Sequence, residues 1–325
     1  MHITRRDFLR FCGASAAALG LELSDLRRLE AALAGPNVPT LIWLHGSGCQ
    51  GDSISFLNLF ADLEPVGHVT AGAVLTDKVN LAYHTVLMAS AGQDAVSMAD
   101  QALAAGGHVL VLEGAVPRAF EGQACVVQSI GQQELTYEQA IARYGRGAKA
   151  VLCVGTCASY GGVPRSSQDP AEPNGPTDVV SGKQALEAAG LSIIPVVINV
   201  PGCPAHPGWI AWTVVQLFLG NPIPLDAYDR PVALYGNKTV DASLLNIHEN
   251  CPRNVNLPGN SFATAFGQDR RCLSDLGCRG PLTFADCPSR RWNKGEAGPV
   301  NWCVDANAMC LGCVEPDFPD GPFYT

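Results

Sequence analysis

Residues 150–157 read AVLCVGTC and decide the fold class, because a buried apolar run leads directly into glycine and cysteine. The same order recurs at residues 40–49, TLIWLHGSGC, and at residues 193–203, IIPVVINVPGC. Continuous apolar runs rich in β-branched residues are typical of strands that are covered on both faces. Each of the three segments is therefore predicted to be a strand of a parallel sheet that ends in a thiol-bearing loop.

Helical patterns separate the predicted strands. The predicted strands are Thr40–His45, Val109–Val116, Ala124–Ile130, Ala150–Val154 and Ile193–Val200, and the predicted helices are His84–Leu103, Tyr137–Tyr144 and Lys183–Ala189. This alternation predicts the α/β class, with a flavodoxin-like parallel sheet over residues 37–220. Ligands of such sheets bind beyond the carboxyl ends of the strands. We therefore expect Cys49, Cys157 and Cys203 to meet in one pocket.

The composition indicates a large, well-buried globular protein of about two domains. The chain has 325 residues, of which 47% are hydrophobic and only 16% are charged. Its net charge of −9 makes nucleic acid an unexpected partner. So few charged residues suggest that a large partner protein covers part of the surface.

The first 34 residues are predicted to be an export signal. Thr4–Arg10 reads TRRDFLR, a twin-arginine pattern, and an apolar stretch and the small-residue site Ala32-Leu33-Ala34 follow it. The alternative is an ordinary basic amphipathic helix. Export by this route predicts a periplasmic protein, or a peripheral one on the outer face of the cytoplasmic membrane. No later stretch has the roughly 18 apolar residues of a membrane span, so no transmembrane anchor is expected.

Residues 221–325 are predicted to form a loop-rich domain that binds two iron–sulfur clusters. Their soft ligands are His248, Cys251, Cys272, Cys278, Cys287, Cys303, Cys310 and Cys313. A cluster is held by about four thiolates, and histidine can replace one of them. His248, Cys251, Cys272 and Cys278 make one set of four, and Cys287, Cys303, Cys310 and Cys313 make the other. Structural zinc is the alternative, which the long, uneven gaps disfavour.

The loops at the strand ends predict a further cluster. Cys49, Cys157 and Cys203 supply three ligands, and Asp52 stands three residues after Cys49, where a fourth ligand is expected. A carboxylate can bind iron, although it is a harder ligand than a thiolate. The alternative is that Asp52 caps the following helix. A phosphate-binding loop at residues 46–53 is excluded, because the Lys-Ser/Thr ending is missing.

The remaining cysteines and histidines are expected to have structural roles. Thirteen cysteines could form disulfides in an exported protein, but the count is odd and the chain is too large to need them. Cys12 belongs to the signal, and Cys125 and Cys153 are predicted to be small buried residues. His45, His68, His84, His108 and His206 are interpreted as loop or packing residues, with His206 a weak candidate for lining the strand-end cluster.

Taken together, the cysteine-bearing segments resemble the small subunit of [NiFe]-hydrogenases. The segments that carry the resemblance are LIWLHGSGC, VLEGAV, GTCASYGGVP, INVPGCPAHP, IHENCPR, CLSDLGCRGP, CPSRRWN and CLGCVEPDFPD, together with the twin-arginine leader. The resemblance implies that Cys49, Cys157 and Cys203 bind a proximal [4Fe-4S] cluster. It assigns His248, Cys251, Cys272 and Cys278 to a distal cluster, and Cys287, Cys310 and Cys313 to a medial cluster.

The resemblance also implies a function. Hydrogen would be split at a Ni–Fe centre in a separate large subunit, the obligate partner. This chain would relay electrons from proximal to medial to distal cluster and on to a cytochrome or quinone-linked acceptor. A higher oligomer of heterodimers is compatible with this interpretation. The alternatives are a hydrogen-sensing subunit, which should lack an export leader, and a cluster-binding protein of the complex I kind, which lacks the tail ligands.

Two positions depart from the usual pattern of the family. Asp52 replaces the second cysteine of the proximal pair, which resembles the actinobacterial-type uptake enzymes, although those lack a leader. The extra proximal cysteines of oxygen-tolerant membrane-bound enzymes are absent, and Gly51 and Gly162 occupy their positions. Cys303 stands where many members have proline. It therefore predicts a medial [4Fe-4S] cluster, with [3Fe-4S] as the alternative.

Overall fold

The computed structural model describes residues 39–319, except 62–78, 131–132, 168, 170, 192, 194, 237–245, 269 and 296–297. The chain divides into two compact units, Met1–Ile223 and Pro224–Thr325. The predicted signal (residues 1–34) and His68 lie outside the described residues.

The first unit is an α/β domain built on a parallel sheet. Its elements in chain order are β1 (Thr40–His45), α1 (Gly51–Ala61), β2 (Asn80–His84), α2 (Gly92–Ala105), β3 (Val109–Glu113), β4 (Val116–Pro117), β5 (Val126–Ile130), β6 (Gln133–Thr136), α3 (Tyr137–Tyr144), β7 (Ala150–Val154), α4 (Gly155–Tyr160), α5 (Gly162–Arg165), β8 (Val179–Val180), α6 (Gly182–Ala188), β9 (Val196–Val200) and α7 (Pro207–Leu219). Five strands form a parallel sheet in the order β2-β1-β3-β7-β9. This is the flavodoxin-like order, so the predicted fold class is confirmed.

Alternate residues of the central strands face opposite layers, as the period of a strand requires. On one face, Leu110 and Leu112 of β3 belong to a buried cluster with residues of α2, α3 and α6. On the other face, Trp43 of β1 packs against Phe56 of α1, with ring centroids 5.8 Å apart. Because both faces of the sheet are covered, its strands have continuous apolar sequences. This pattern allows the strands to be predicted from the sequence.

The predicted helix His84–Leu103 is wrong at its start, because His84 is the last residue of strand β2. The β2 backbone pairs with β1, where His84 lies opposite Trp43. The His84 Nδ1 atom then accepts hydrogen bonds from the backbone N–H groups of Val86 and Leu87. These bonds turn the chain out of the strand, and the helix begins only at Gly92.

Three predicted strands are shorter than expected. The predicted strand Ala124–Ile130 begins only at Val126. The strand that begins at Val109 ends at Glu113, because Gly114 has a φ of +88° and leaves the extended conformation. The last strand begins at Val196, directly after Pro195, which has no N–H to donate to a neighbouring strand. The strands Thr40–His45 and Ala150–Val154 and the helix Tyr137–Tyr144 have the predicted bounds.

The second unit has short elements joined by long loops. Its elements in chain order are α8 (Val232–Tyr235), α9 (Ile247–Asn250), two 3₁₀ turns (Ser274–Leu276 and Gly280–Leu282), α10 (Cys287–Arg290), and the antiparallel strands β10 (Trp292–Gly295) and β11 (Gly298–Asn301). The small apolar cluster in this unit is built on Ala263, Leu273 and Met309. So small an apolar core fits a domain whose bound groups contribute to its stability.

A buried ion network holds the end of the second unit. The Arg230 guanidinium is 1% exposed and binds the carboxylates of Asp226 and Glu315 at 2.8 and 3.0 Å. Glu315 also accepts the backbone N–H of Phe284 at 2.8 Å. The network therefore ties the segment after Cys313 to the segment before Cys287. Across the residues described here, no helix has the length and apolar character of a membrane span.

Candidate iron–sulfur sites

The predicted proximal residues lie in loops at the carboxyl ends of three parallel strands. Cys49 lies between β1 and α1, Cys157 lies in α4 directly after β7, and Cys203 follows β9. Two reciprocal hydrogen bonds join the last two loops: Thr156 N–H donates to the Gly202 carbonyl, and Gly202 N–H donates to the Thr156 Oγ1 atom, both at 2.9 Å. The fold thus brings together cysteines that are far apart in the sequence.

Asp52 is the second residue of α1, and its side chain forms its hydrogen bond outside that helix. Its Oδ1 atom accepts the backbone N–H of Ala205 at 2.6 Å, in the loop that carries Cys203. A side chain at Gly155 would place its Cβ 2.1 Å from Asp52 Oδ2, so only glycine leaves room for this carboxylate. Asp52 therefore lies between the Cys157 and Cys203 loops, and the helix-cap interpretation has no support from its contacts.

Glu113, and not Asp52, caps the first turn of α1. This carboxylate, 1% exposed at the end of β3, accepts the backbone N–H groups of Asp52 and Ser53 at 3.0 and 3.1 Å. It also accepts the Trp43 indole N–H at 2.9 Å and the Ser53 hydroxyl. The first turn of α1 is thereby fixed to the central strand.

The sequence did not assign Glu113 a role. The available signal was a charged residue at the end of the buried run VLVLE, where burial demands partners. His84 is fully buried against the Trp43 ring, as expected of a packing residue, and its Nε2 atom also lies 3.1 Å from Ser53 Oγ. Because its Nδ1 atom accepts two backbone N–H groups, the neutral ring carries its proton on Nε2 and donates to Ser53.

The electrostatics of the proximal group show that its members are neighbours. Burial, followed by the charges of Cys203, Asp52 and Cys49, raises the pKa of Cys157 to about 12. Burial, followed by Cys49 and Asp52, raises the pKa of Cys203 to about 11. Burial and the Glu113 carboxylate raise the pKa of Asp52 to about 8, against the hydrogen bond from Ala205. A bound cationic centre would reverse these shifts and favour the ionised ligands.

Gly51 and Gly162, the positions of the absent extra cysteines, both lie against proximal thiols. A Cβ atom at Gly51 would be 3.0 Å from Cys49 Sγ, and one at Gly162 would be 3.0 Å from Cys157 Sγ. Gly162 also has a φ of +52°, which favours glycine. Both positions are therefore close enough for a side chain there to meet the cluster ligands.

The predicted distal residues surround one small space in the second unit. His248 lies in α9, Cys251 directly follows that helix, and both border one small space together with Cys272 and Cys278. Burial raises the pKa of Cys251, and the charges of Cys278 and Cys272 raise it further. The structure thus brings all four predicted distal residues to one site.

The predicted medial residues also form one group. Burial raises the pKa of Cys287 well above its usual value, and the nearby charges of Cys313, Cys310 and Cys303 add to the effect. Cys310 is buried, and its pKa is raised to about 12. Cys303 is exposed as a residue, yet loss of water around its sulfur still raises its pKa. The charges that act on Cys287 and Cys310 include that of Cys303, so Cys303 lies near both of them.

The distal and medial groups adjoin each other. The backbone N–H of Arg279, next to Cys278, donates to the Cys310 carbonyl at 2.8 Å. The charge of Cys278 raises the pKa of both Cys310 and Cys303. A ligand of one predicted cluster thus lies beside ligands of the other, which suits the transfer of electrons between them.

Unpaired buried donors support the fit of clusters at these positions. Six buried nitrogen atoms make no hydrogen bond within the described residues, and three of them belong to residues close in sequence to predicted ligands: His45 Nε2 in the strand before Cys49, Arg279 Nη1 and Trp302 Nε1. Arg279 directly follows Cys278, and Trp302 directly precedes Cys303. Buried donors normally have acceptors, and cluster sulfides and thiolates are acceptors of this kind. The donor set and the orphaned N–H groups therefore fit iron–sulfur clusters.

A single metal ion needs ligands that lie closer together than the ligands of an iron–sulfur cluster. Among the residues that the structure describes, no three His, Cys, Asp or Glu side chains converge closely enough to hold one metal ion. A [4Fe-4S] cluster takes its thiolates on separate irons, so its ligands surround a larger volume.

Several of the residues expected to have structural roles have contacts of that kind. Cys153 is fully buried in β7, as predicted, and Cys125 lies half-buried just before β5. His108 is fully buried, and its Nε2 atom lies 2.7 Å from the Tyr144 carbonyl oxygen. His206 is the N-cap residue of α7, where its Nδ1 atom accepts the Gly208 N–H at 2.9 Å.

Two family profiles match the chain, one over the part with the proximal residues and the other over the part with the distal and medial residues. Residues 49–217 match the family "NADH ubiquinone oxidoreductase, 20 Kd subunit". Residues 245–324 match the C-terminal family of the NiFe/NiFeSe hydrogenase small subunit. The first range contains all the proximal residues, and the second contains all the distal and medial residues.

Individual relatives extend this similarity over the whole chain. The periplasmic [NiFeSe] hydrogenase small subunit of Desulfomicrobium baculatum is 36% identical, over 100% of this chain and 99% of the relative. The [NiFeSe] hydrogenase structure from Desulfovibrio vulgaris Hildenborough matches with a TM-score of 0.74 and 36% identity, over 90% of this chain and 99% of that one. The actinobacterial-type NiFe-hydrogenase structure from Ralstonia eutropha H16 matches with a TM-score of 0.69 and 27% identity, over 88% and 82% of the two chains.

Proposed function

The chain belongs to the small-subunit family of [NiFe] hydrogenases, and on this basis we propose that it carries electrons between a Ni–Fe centre in a large subunit and an external acceptor. The proposed direction is hydrogen uptake, with electrons passing from a proximal to a medial to a distal cluster. The chain supplies no acid–base catalyst in this scheme. Its residues hold the clusters and tune their potentials through ligand type, burial and hydrogen bonds.

The proposed ligands are the three groups described above. The proximal [4Fe-4S] cluster takes Cys49, Asp52, Cys157 and Cys203; the distal [4Fe-4S] cluster takes His248, Cys251, Cys272 and Cys278; the medial [4Fe-4S] cluster takes Cys287, Cys303, Cys310 and Cys313. The observation that carries this assignment is the grouping of the ligands: the segments after three parallel strands bring Cys49, Cys157 and Cys203 to one edge of the sheet, and the four distal residues border one small space. Such grouped thiolates are costly without a cationic centre to bind them.

The large subunit is proposed to cover the proximal site. Cys49 and Cys203 are exposed, and so are two apolar side chains beside the group: Ile54 in α1 is 58% exposed, and Val163, after Gly162, is 53% exposed. Exposed apolar residues around a buried polar group are typical of an interface. A large subunit seated here would shield the proximal cluster and bring it close to the Ni–Fe centre.

The acceptor is proposed to take electrons at the distal cluster, as a cytochrome or a quinone-linked protein. The twin-arginine leader supports export of the folded, cluster-loaded protein to the periplasm or the outer face of the membrane. Relatives from Desulfomicrobium baculatum and Nitratidesulfovibrio vulgaris carry the word periplasmic in their names, which favours the same location.

The C-terminal unit favours this function over that of a complex I-type protein. Both families share the domain that matches residues 49–217. The hydrogenase C-terminal match over residues 245–324 contains the eight proposed distal and medial ligands, for which the complex I interpretation provides no use. The leader, in turn, favours an uptake enzyme over a hydrogen sensor.

The proposal is tested by interrupting the relay at its end. In the purified heterodimer, Cys272→Ser should lower hydrogen-dependent reduction of benzyl viologen at least tenfold, because the distal cluster is lost or altered. Exchange between H₂ and D₂O needs the Ni–Fe centre alone and should be retained. Cys125→Ser is the matched control and should leave both reactions unchanged. Undiminished viologen reduction in Cys272→Ser would contradict the proposed relay.

A further inference from the structure

Arg279 lies between the distal and medial groups of ligands. It directly follows Cys278, and its aliphatic stem crosses the turn between Cys310 and Cys313. A Cβ atom at Gly312 would lie 3.3 Å from the Cβ and Cδ atoms of Arg279 and 3.4 Å from its Nε atom. Gly312 has a φ of +72°, so glycine is favoured there on two grounds. The medial turn is thus shaped to accept this side chain.

The two ends of the Arg279 guanidinium have different environments. Its Nη2 atom forms an ion pair with the Asp317 carboxylate, and the Arg279 side chain is only 13% exposed. Its Nη1 atom is buried and makes no hydrogen bond to any described residue. An unpaired donor on a buried charged group is costly, because it has lost its bonds to water and gained none in the protein. Such a group is expected to have an acceptor in the loaded protein.

Arg279 lies in the part of the second unit that carries the sulfur ligands. Arg279 is bonded through its backbone to Cys310, whose thiolate interacts with those of Cys278 and Cys303. A second orphaned donor, the buried indole N–H of Trp302, directly precedes Cys303. Two donors without partners among the described residues therefore belong to residues that adjoin predicted ligands in the sequence.

We propose that Arg279 is a positioning residue for the medial cluster, which supplies a positive charge and an N–H donor to its sulfur atoms and raises its reduction potential. This inference rests on the proposed function. Cys303 adds a fourth thiolate, and the extra negative charge lowers the potential of the cluster. A guanidinium beside the thiolates favours the more negative, reduced state, and so offsets part of that effect.

The test compares Arg279→Gln with Asp317→Asn in the purified heterodimer. The readouts are iron content and the midpoint potential of the medial cluster, measured by redox titration followed by EPR. Arg279→Gln should retain its iron and lower the potential by about 59 mV or more, a tenfold change in the ratio of reduced to oxidised cluster for one electron. Asp317→Asn breaks the same ion pair but keeps the guanidinium, so its potential should not fall.

Several outcomes would overturn the proposal. An unchanged potential in Arg279→Gln would do so, and so would equal falls in both variants, since Arg279 would then serve only to anchor Asp317. If Arg279→Gln does not load iron, Arg279→Lys decides, because lysine keeps the positive charge and an N–H donor, so its potential should stay near that of the wild type. A fall of about 59 mV or more in Arg279→Lys, where the charge is kept, would refute the proposal. Absence of cluster signals in the wild type would instead refute the proposed function.

Discussion

The Asp52 carboxylate accepts a 2.6 Å hydrogen bond from the backbone N–H of Ala205, which joins the loop after the first strand to the loop after the last one. The bond holds one carboxylate oxygen, and Gly155 leaves room for the other. Asp52 is therefore held between the Cys157 and Cys203 segments. This placement suits a residue that substitutes for a cysteine ligand.

Replacement of Asp52 should change the proximal cluster. Asp52→Ala removes the ligand and should lower the iron content and alter the EPR spectrum of the heterodimer. Asp52→Cys should keep the iron but shift the midpoint potential, because thiolate is a softer ligand than carboxylate. Asp52→Asn is the control for position, since it keeps an oxygen for Ala205. Unchanged spectra and potential in both the Ala and Cys variants would show that Asp52 does not ligate iron.

Glu113 should stabilise the first turn of α1 and, with it, the proximal loop. Glu113→Gln leaves at least one of its buried donors unsatisfied and should cost about 2–3 kcal/mol. The thermal unfolding midpoint of the heterodimer should fall accordingly. The matched control is Glu138→Gln, which removes a partly exposed ion pair with Arg118, worth about 0.2–1 kcal/mol. Equal losses in the two variants would contradict the capping role of Glu113.

Cys303 should determine the type of the medial cluster. Cys303→Pro removes the fourth thiolate, and proline cannot replace it as a ligand. The variant should lose about one iron per heterodimer, gain the EPR signal of an oxidised [3Fe-4S] cluster, and show a higher medial potential. Cys125→Ser should leave iron content and spectra unchanged. A Cys303→Pro enzyme with wild-type spectra would show that Cys303 is not a ligand.

Buried neutral histidine should make stability fall in acid. Burial lowers the pKa of His108, against the hydrogen bond to the Tyr144 carbonyl. The unfolded chain therefore binds a proton at a higher pH, about 6.5, than the folded protein does. The contribution of His108 is complete above that pH and is lost toward its lowered folded pKa, by up to about 1.4 kcal/mol per pH unit.

The loss is measured as the unfolding midpoint of the heterodimer at pH 7.5 and at pH 5.5. His108→Gln cannot take up this proton, so the difference between the two midpoints should be smaller than in the wild type. An equal or larger difference in the variant would contradict this account.

Sequence alone predicted the sheet because both of its faces are buried, and continuous apolar runs such as Ala150–Val154 have few other uses. It missed strand β2 at the sheet edge, since the helical pattern of the following segment hid the boundary at His84. The groups of cysteines were recognisable because few structural roles require cysteines at such short spacing. The roles of Glu113 and Arg279 were not recognisable, because they depend on distant partners. Glu113 binds Asp52, 61 residues away, and Arg279 binds Asp317, 38 residues away.

The central claim is that this chain holds three [4Fe-4S] clusters in series beside a large subunit. Anaerobic purification of the heterodimer, followed by iron counting and EPR titration, tests it most directly. The account predicts about twelve irons in the small subunit, with three cubane signals in the reduced enzyme and no oxidised [3Fe-4S] signal. About eleven irons with a sharp oxidised [3Fe-4S] signal would contradict the Cys303 assignment. A total of eight or fewer would contradict the three-cluster relay itself.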